Sequence, residues 1–148
     1  MNLAGTLEPG RHILPIRIYY EDTDFTGAVY HGGYVRFMER GRTDLLRLLG
    51  LGDHSTLYAD AAPLAFVVRS LTIHFRKPGR MDDIVEVETT PGVLRGASMI
   101  LMQRVLRGPD VLADGEAHIA CVRAGRPVRL PEPMRARFAA FAAQRSGV

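Results

Sequence analysis

The chain has 148 residues, which suits one domain with a core of its own. Its 47% hydrophobic and 24% charged residues are typical of a globular protein. The formal net charge of +3 is mildly basic and not diagnostic, and we predict no nucleic-acid partner. One cysteine excludes an internal disulfide, and no apolar run approaches the ~18 residues of a membrane helix; we therefore predict a cytoplasmic protein without membrane insertion.

The chain is predicted to begin with a leader and one strand. Residues 1–14 are interpreted as a loose leader, because Gly5, Pro9 and Gly10 interrupt them. A strand is predicted over 16–20, "IRIYY", which is rich in β-branched and aromatic residues. The loop that follows carries two aspartates, a glycine and a histidine.

A long helix is predicted after this loop. Its apolar stripe recurs at steps of three and four residues and comprises Tyr34, Phe37, Met38, Gly41, Leu45, Leu48 and Leu49. A glycine in mid-helix costs about 1 kcal/mol relative to alanine, so Gly41 predicts close packing on another element. Gly50 is the predicted stop.

Strands dominate the second half. Residues 51–63 are predicted to be irregular or one short helical turn, with Ser55 as its candidate cap. Strands are predicted over 64–75, 84–90, 98–106 and 116–122, and a terminal helix over 131–144. This order predicts a single α+β domain in which the long helix crosses one face of an antiparallel meander. Self-association is one way to cover the remaining sheet surface and edges.

The loop before the long helix can carry chemistry. A helix N-terminus has unpaired N–H groups and a partial positive charge, and Gly32 and Gly33 leave those groups free of bulky side chains. A carbonyl oxygen held there could be attacked with help from an upstream aspartate, which suits an activated acyl substrate. An aspartate before a helix is also commonly a cap or an Asx-turn residue, and the spacing alone favours this structural interpretation over the catalytic one.

The segment "YYEDTDFTGAVYHGGYVRFMERGRTDLLRLLG" resembles the signature of hot-dog-fold thioesterases. In particular it resembles the YbgC-type acyl-CoA thioesterases associated with the Tol–Pal system, which are related to 4-hydroxybenzoyl-CoA thioesterase. The likeness continues through "FVVRSLTIHFRKPGRMDDIVEVET" and "LRGASMILMQRVL" and so covers about residues 15–124. The resemblance implies a sheet wrapped around a central helix, with two chains pairing into one continuous sheet and active sites at the dimer interface. It predicts a homodimer or a homotetramer that is a dimer of dimers.

The resemblance also implies roles for individual residues. Asp24 matches the catalytic carboxylate, and His31 matches the helix-start position whose backbone N–H polarises the thioester carbonyl. Tyr30, Gly32 and Gly33 are the candidate substrate-binding residues beside it, while Asp22 is interpreted as a loop organiser. Relatives often carry Asn, Ser or Pro at the position of Gly33, so we expect this glycine to loosen the helix start and to widen the acyl pocket.

The predicted function is hydrolysis of acyl-CoA thioesters. Asp24 either attacks the carbonyl directly or activates water, and the sequence does not decide between these routes. No metal or redox cofactor is implied, since coenzyme A is part of the substrate. The alternatives are thioester hydrolysis on acyl carrier protein and a non-catalytic acyl-CoA-binding or scaffold module.

Other side chains are assigned lesser roles. Cys121 lies in a predicted buried strand, where a thiol is usually inert. Glu39 is predicted to be a solvated or salt-bridged residue, although a carboxylate there is catalytic in another branch of hot-dog thioesterases. Structural roles are predicted for the remaining histidines, His12, His54, His74 and His118. Candidates for contacts with the phosphates of coenzyme A are Arg69, Arg76, Lys77 and Arg80.

Overall fold

The computed structural model describes residues 2–51 and 63–146. Its strands are β1 (Thr6–Glu8), β2 (Arg11–Arg17), β3 (Leu64–Phe75), β4 (Ile84–Leu94), β5 (Ser98–Arg107), β6 (Asp110–Arg123) and β7 (Arg126–Pro127). Its helices are α1 (His31–Leu48), α2 (Glu132–Ser146) and a short 3-10 helix (Tyr20–Asp22). The prediction for 51–63, including Ser55 and His54, falls largely outside the described residues.

The strands form one antiparallel sheet in the order β1-β2-β4-β5-β6-β3, with β7 beside β6. Strands β4, β5 and β6 make the predicted meander, but β3 pairs with β6 instead of joining the meander beside β4. The reason is that β2 already occupies that edge of β4, with Leu14 opposite Val87 and Ile16 opposite Val85. Strand β3 therefore lies at the far end of the sheet.

Helix α1 lies across one face of this sheet and forms the core with it. Phe37, Met38 and Leu45 are buried there. At Gly41, an added Cβ would lie 2.7 Å from Cγ1 of Val87. The close packing predicted for this glycine is therefore present, and it excludes even a methyl group unless the sheet side chains move. Helix α1 ends before Gly50, whose φ of 75° is the left-handed conformation of a helix stop.

The prediction of a loose leader over 1–14 is wrong. Strands β1 and β2 form a hairpin there, and Gly10 adopts a φ of 66° in the turn between them. The glycine and proline that suggested disorder thus mark a tight turn. The second strand begins at Arg11 and ends at Arg17, earlier than the predicted strand over 16–20. His12 on β2 is fully buried, with Nε2 2.7 Å from the carbonyl oxygen of Ala4.

Helix α2 packs against the same face as the C-terminal half of α1. Phe138 and Phe141 are buried in a cluster that includes Leu45, Leu101 and Ile119. The helix occupies the region where the sequence predicts a terminal helix over 131–144. Within residues 2–51 and 63–146, no helix has both the length and the apolar composition that a bilayer crossing requires.

Candidate active site

Asp22 holds the two ends of the loop that precedes α1. Its Oδ2 accepts a hydrogen bond from the N–H of Tyr19 at 2.9 Å, and its backbone carbonyl accepts one from the N–H of Tyr30 at 2.9 Å. The side chain is buried, and Nη2 of Arg36 on α1 lies 3.3 Å from its Oδ1. These contacts are the ones that a loop organiser requires.

The Asp24 carboxylate lies on the exposed side of this loop. Its Oδ1 accepts hydrogen bonds from the N–H of Thr26 at 2.9 Å and from the Thr26 hydroxyl. No described residue donates a hydrogen bond to Oδ2. The hydroxyl and then the N–H of Thr26 lower the pKa of Asp24, and the charge of His31 acts in the same direction. Oδ1 of Asp24 therefore forms an Asx turn with Thr26. The carboxylate is ionised, and its Oδ2 remains available to a substrate or a water molecule.

The first turn of α1 offers backbone donors. Tyr30 is the N-cap and makes no side-chain capping bond, while the N–H of Gly33 donates to the carbonyl of Tyr30 at 2.7 Å. The N–H groups of His31 and Gly32 donate to no acceptor in residues 2–51 and 63–146. Two unpaired donors at the positive end of an 18-residue helix can hold a carbonyl oxygen or a developing oxyanion.

The two glycines of this turn do not face an open pocket. An added Cβ at Gly33 would lie 3.0 Å from Cγ1 of Val29 and 3.7 Å from the carbonyl oxygen of Asp22. One at Gly32 would lie 2.7 Å from the ring of Tyr30. Because Cβ atoms of a helix point towards its N-terminus, both positions face the loop. The expectation that Gly33 widens the acyl pocket is therefore not supported; the glycines allow the loop to pack closely on the helix.

A cleft of about 290 Å³ opens beside the helix start. It is lined by Val29, His31, Tyr34, Phe75, Arg76, Lys77 and Pro78. The ring of Phe75 lies 6.1 Å from that of His31 and 5.7 Å from that of Tyr34, centroid to centroid. An apolar wall thus adjoins the free backbone donors, which is a suitable surface for an acyl group.

The aromatic residues Tyr34 and Phe75 of this cleft are not among the site residues predicted from the sequence. The sequence pattern places Tyr34 in the apolar stripe of the helix and Phe75 in a strand. The hydroxyl of Tyr34 accepts a hydrogen bond from the N–H of Gly79 at 2.9 Å, and burial raises its pKa. Its position three residues after His31, on the same helix face, was the available signal. No pattern in the neighbouring sequence predicts that Phe75 lies in the cleft, because its position there depends on the pairing of β3 with β6.

Other candidates lie apart from the loop. A cavity of about 630 Å³ over the sheet is larger than the cleft, but its buried carboxylate, Glu88, is already paired with Arg104 at 2.6 Å. Cys121 is buried, and burial raises the pKa of its thiol, so it is a poor nucleophile. Within the described ranges no three His, Cys, Asp or Glu side chains are arranged to hold a metal ion.

The sequence of the chain is similar to those of known thioesterases. Residues 26–113 match the model of the thioesterase superfamily. The acyl-CoA thioesterase YbgC of Haemophilus influenzae is 39% identical, over 84% of this chain and 91% of that protein. The acyl-CoA thioester hydrolase YbgC of Escherichia coli O6:H1 is 38% identical, over 84% of this chain and 92% of its own length.

A solved structure supports the fold. The crystal structure of a probable thioesterase from Bartonella henselae superimposes with a TM-score of 0.76 at 35% identity, covering 82% of this chain and 99% of that one. The α+β hot-dog fold predicted from the sequence is thereby confirmed. By its sequence and its fold, the chain belongs to the thioesterase superfamily.

Proposed function

We propose that the protein hydrolyses acyl-CoA thioesters to the free acid and coenzyme A. The observation that carries the proposal is the pairing, across one loop, of an ionised carboxylate at Asp24 with two unpaired N–H groups at the start of α1. The YbgC relatives are named as acyl-CoA thioesterases, and a family member with this arrangement has both a group to start the attack and a site for the oxyanion.

The proposed chemistry begins with the thioester carbonyl at the helix start. The N–H of His31 donates to the carbonyl oxygen and stabilises the negative charge that develops there. In one route Asp24 attacks the carbonyl carbon, coenzyme A leaves as a thiolate, and water then hydrolyses the mixed anhydride. In the other route Asp24 takes a proton from a water molecule as that water attacks the carbonyl carbon; the C–S bond then breaks and coenzyme A leaves as a thiolate, which takes up a proton. The His31 imidazole orients the loop, and neither route requires it as an acid or a base.

The decisive experiment measures coenzyme A release over a panel of short, long and aromatic acyl-CoAs, with acyl carrier protein thioesters in parallel. Turnover of at least one acyl-CoA supports the proposal. Turnover only on the carrier protein would favour the first alternative, and binding without turnover would favour the non-catalytic module.

Arg80 is the cation that we expect to meet the phosphates of coenzyme A. Arg76 and Lys77 are engaged with Asp114 at 3.0 Å and Asp110 at 2.8 Å, respectively. Arg80 forms no ion pair among the described residues, and its Nη1 would lie 3.9 Å from a Cβ built on Gly27 of the catalytic loop. Its backbone also forms a bridge with Ala28.

Replacing Arg80 with Gln is therefore expected to raise KM for acyl-CoA by roughly three- to tenfold with kcat unchanged, as for loss of one charge contact. Wild-type KM should rise with salt, because salt screens exposed charges, and the Arg80→Gln variant should respond less. Steady-state kinetics at low and high ionic strength check this, with Arg126→Gln as the matched control, because Arg126 is exposed on β7 and does not line the cleft. A KM that is unchanged by both the substitution and salt would remove Arg80 from substrate binding.

The free edge of β3 is the proposed surface of self-association. This strand has 12 residues, and within residues 2–51 and 63–146 it pairs only with β6. Val67 and Val68 are exposed along it. Pairing of two such edges would produce the continuous sheet of a homodimer. Two of these dimers would form a homotetramer, and the protein would act in the cytoplasm. Light scattering should give a dimer or tetramer under assay conditions; a stable, active monomer would contradict this.

A further inference from the structure

Thr26 makes two contacts to the same oxygen of Asp24. Its N–H donates to Oδ1 at 2.9 Å, and its hydroxyl donates to the same atom. The hydroxyl oxygen in turn lies 3.4 Å from the N–H of Ala28, which can donate to it. Because a threonine hydroxyl has one hydrogen, its donation to Asp24 fixes the direction of that hydrogen.

The residues behind Thr26 are fixed by backbone pairing. Asp24 donates its N–H to the carbonyl of Ala28 at 2.9 Å, and Ala28 forms a bridge with Arg80. Thr23 and Val29 form a second bridge that closes the loop. A carboxylate otherwise turns readily about its last torsion. Here two donors on one oxygen hold its plane, and the other oxygen remains available to substrate or water.

We infer that Thr26 is a positioning residue for Asp24, holding Oδ1 so that Oδ2 is presented to the thioester carbonyl or to the attacking water. The inference rests on the proposed function, since it assigns a role within the same site. Thr26 itself touches neither the carbonyl nor the water in this scheme.

The same contact sets the range of pH over which Asp24 is charged. The hydroxyl of Thr26 is the largest cause of the lowered pKa of Asp24, followed by the N–H of Thr26. The charged group acting on Asp24 from the adjoining helix is His31, which lowers the pKa further when protonated. Removing the hydroxyl should raise the pKa of Asp24, so that activity is lost at a higher pH on acidification.

The test compares Thr26→Val, Thr26→Ser and Thr23→Val. Valine keeps the shape and the backbone N–H but removes the hydroxyl, while serine keeps the hydroxyl. Thr23 is the matched control, because its hydroxyl donates to the carbonyl of Tyr20 at 2.7 Å and does not contact Asp24. For Thr26→Val we expect kcat to fall about tenfold, the equivalent of one net hydrogen bond. We also expect the acid limb of kcat/KM to move to higher pH.

Serine should restore both properties, and Thr23→Val should leave both at wild-type values. A Thr26→Val enzyme with wild-type kcat and an unmoved acid limb would overturn the inference, as would a loss that serine does not repair. A carboxyl carbon NMR titration of Asp24 in the same variants is independent of turnover. If the wild-type protein hydrolyses no thioester, the proposed function fails. If the pKa of Asp24 measured by NMR is the same in Thr26→Val as in the wild type, the effect of Thr26 on Asp24 is disproved independently of activity.

Discussion

Asp24→Asn should reduce kcat by on the order of 10²-fold or more, measured as coenzyme A release from the best acyl-CoA of the panel. Asparagine keeps the shape of the side chain and can still accept from Thr26 through its amide oxygen. It lacks the negative charge, and its second position is an NH₂ group that can neither attack a carbonyl nor take a proton from water. The lost activity should therefore appear in kcat, with the melting temperature close to that of wild type.

His31→Ala is the paired variant at the same loop. It removes the imidazole and keeps the backbone N–H, which is the proposed oxyanion donor. Removal of a true oxyanion donor costs about 10²–10³ in kcat, so a much smaller loss is expected here. The expected loss comes from the packing of the imidazole, whose ring centroid lies 4.2 Å from that of Tyr30 and 6.1 Å from that of Phe75.

The structural interpretation of Asp24 predicts the opposite pattern. If the carboxylate only forms the Asx turn, Asp24→Asn should lower the melting temperature and leave kcat near wild type in the folded fraction. Thermal melts of both variants separate the two outcomes. An inactive His31→Ala enzyme with unchanged stability would instead assign the base to the imidazole.

The sequence predicted the elements better than their pairing. The apolar stripe from Tyr34 and the stop at Gly50 predicted the position of α1 closely. The alternation of apolar and polar residues predicted β3 with its observed bounds. These are local properties of period and turn chemistry. That β2 takes the edge of β4 depends on contacts more than 60 residues apart along the chain, for which periodicity contains no signal. The β1–β2 hairpin is local, since it pairs Thr6 with Ile13 and Glu8 with Arg11. The interpretation as a loose leader fails there because glycine and proline mark a tight turn as readily as an irregular segment.

The sequence predicted which residues lie in the site, but it did not predict how their side chains are arranged. The sequence placed Asp22, Asp24, Tyr30 and His31 in one loop, and the structure keeps them together. The direction of the missing Cβ of Gly33, towards Val29, depends on how the loop folds back on the helix. The contact of Thr26 with Asp24 could not be predicted, because a threonine two residues after an aspartate is common in turns and the direction of its hydroxyl depends on the folded loop.

The second large effect is expected on stability, at the helix that lies outside the resembled region. Phe138→Ala should cost about 3–5 kcal/mol, the usual range for a large aromatic side chain deleted from a core. Phe138 is fully buried, and its ring packs at 6.4 Å from that of Phe141 over the cluster that contains Leu45. Since whole domains are stable by only about 5–15 kcal/mol, this is a large part of the total.

Urea unfolding at one fixed protein concentration measures this cost, because association would otherwise shift the apparent stability. Gln144→Ala is the matched control on α2, where the side chain is exposed, and it should change the free energy of unfolding by no more than about 0.5 kcal/mol.

Below the melting temperature, Phe138→Ala should retain wild-type kcat, since α2 packs beside the C-terminal half of α1 and the loop lies at the other end of that helix. A cost below 1 kcal/mol would mean that α2 does not pack on this core. A large fall in kcat in the folded protein would mean that α2 affects the active site through contacts other than those described here.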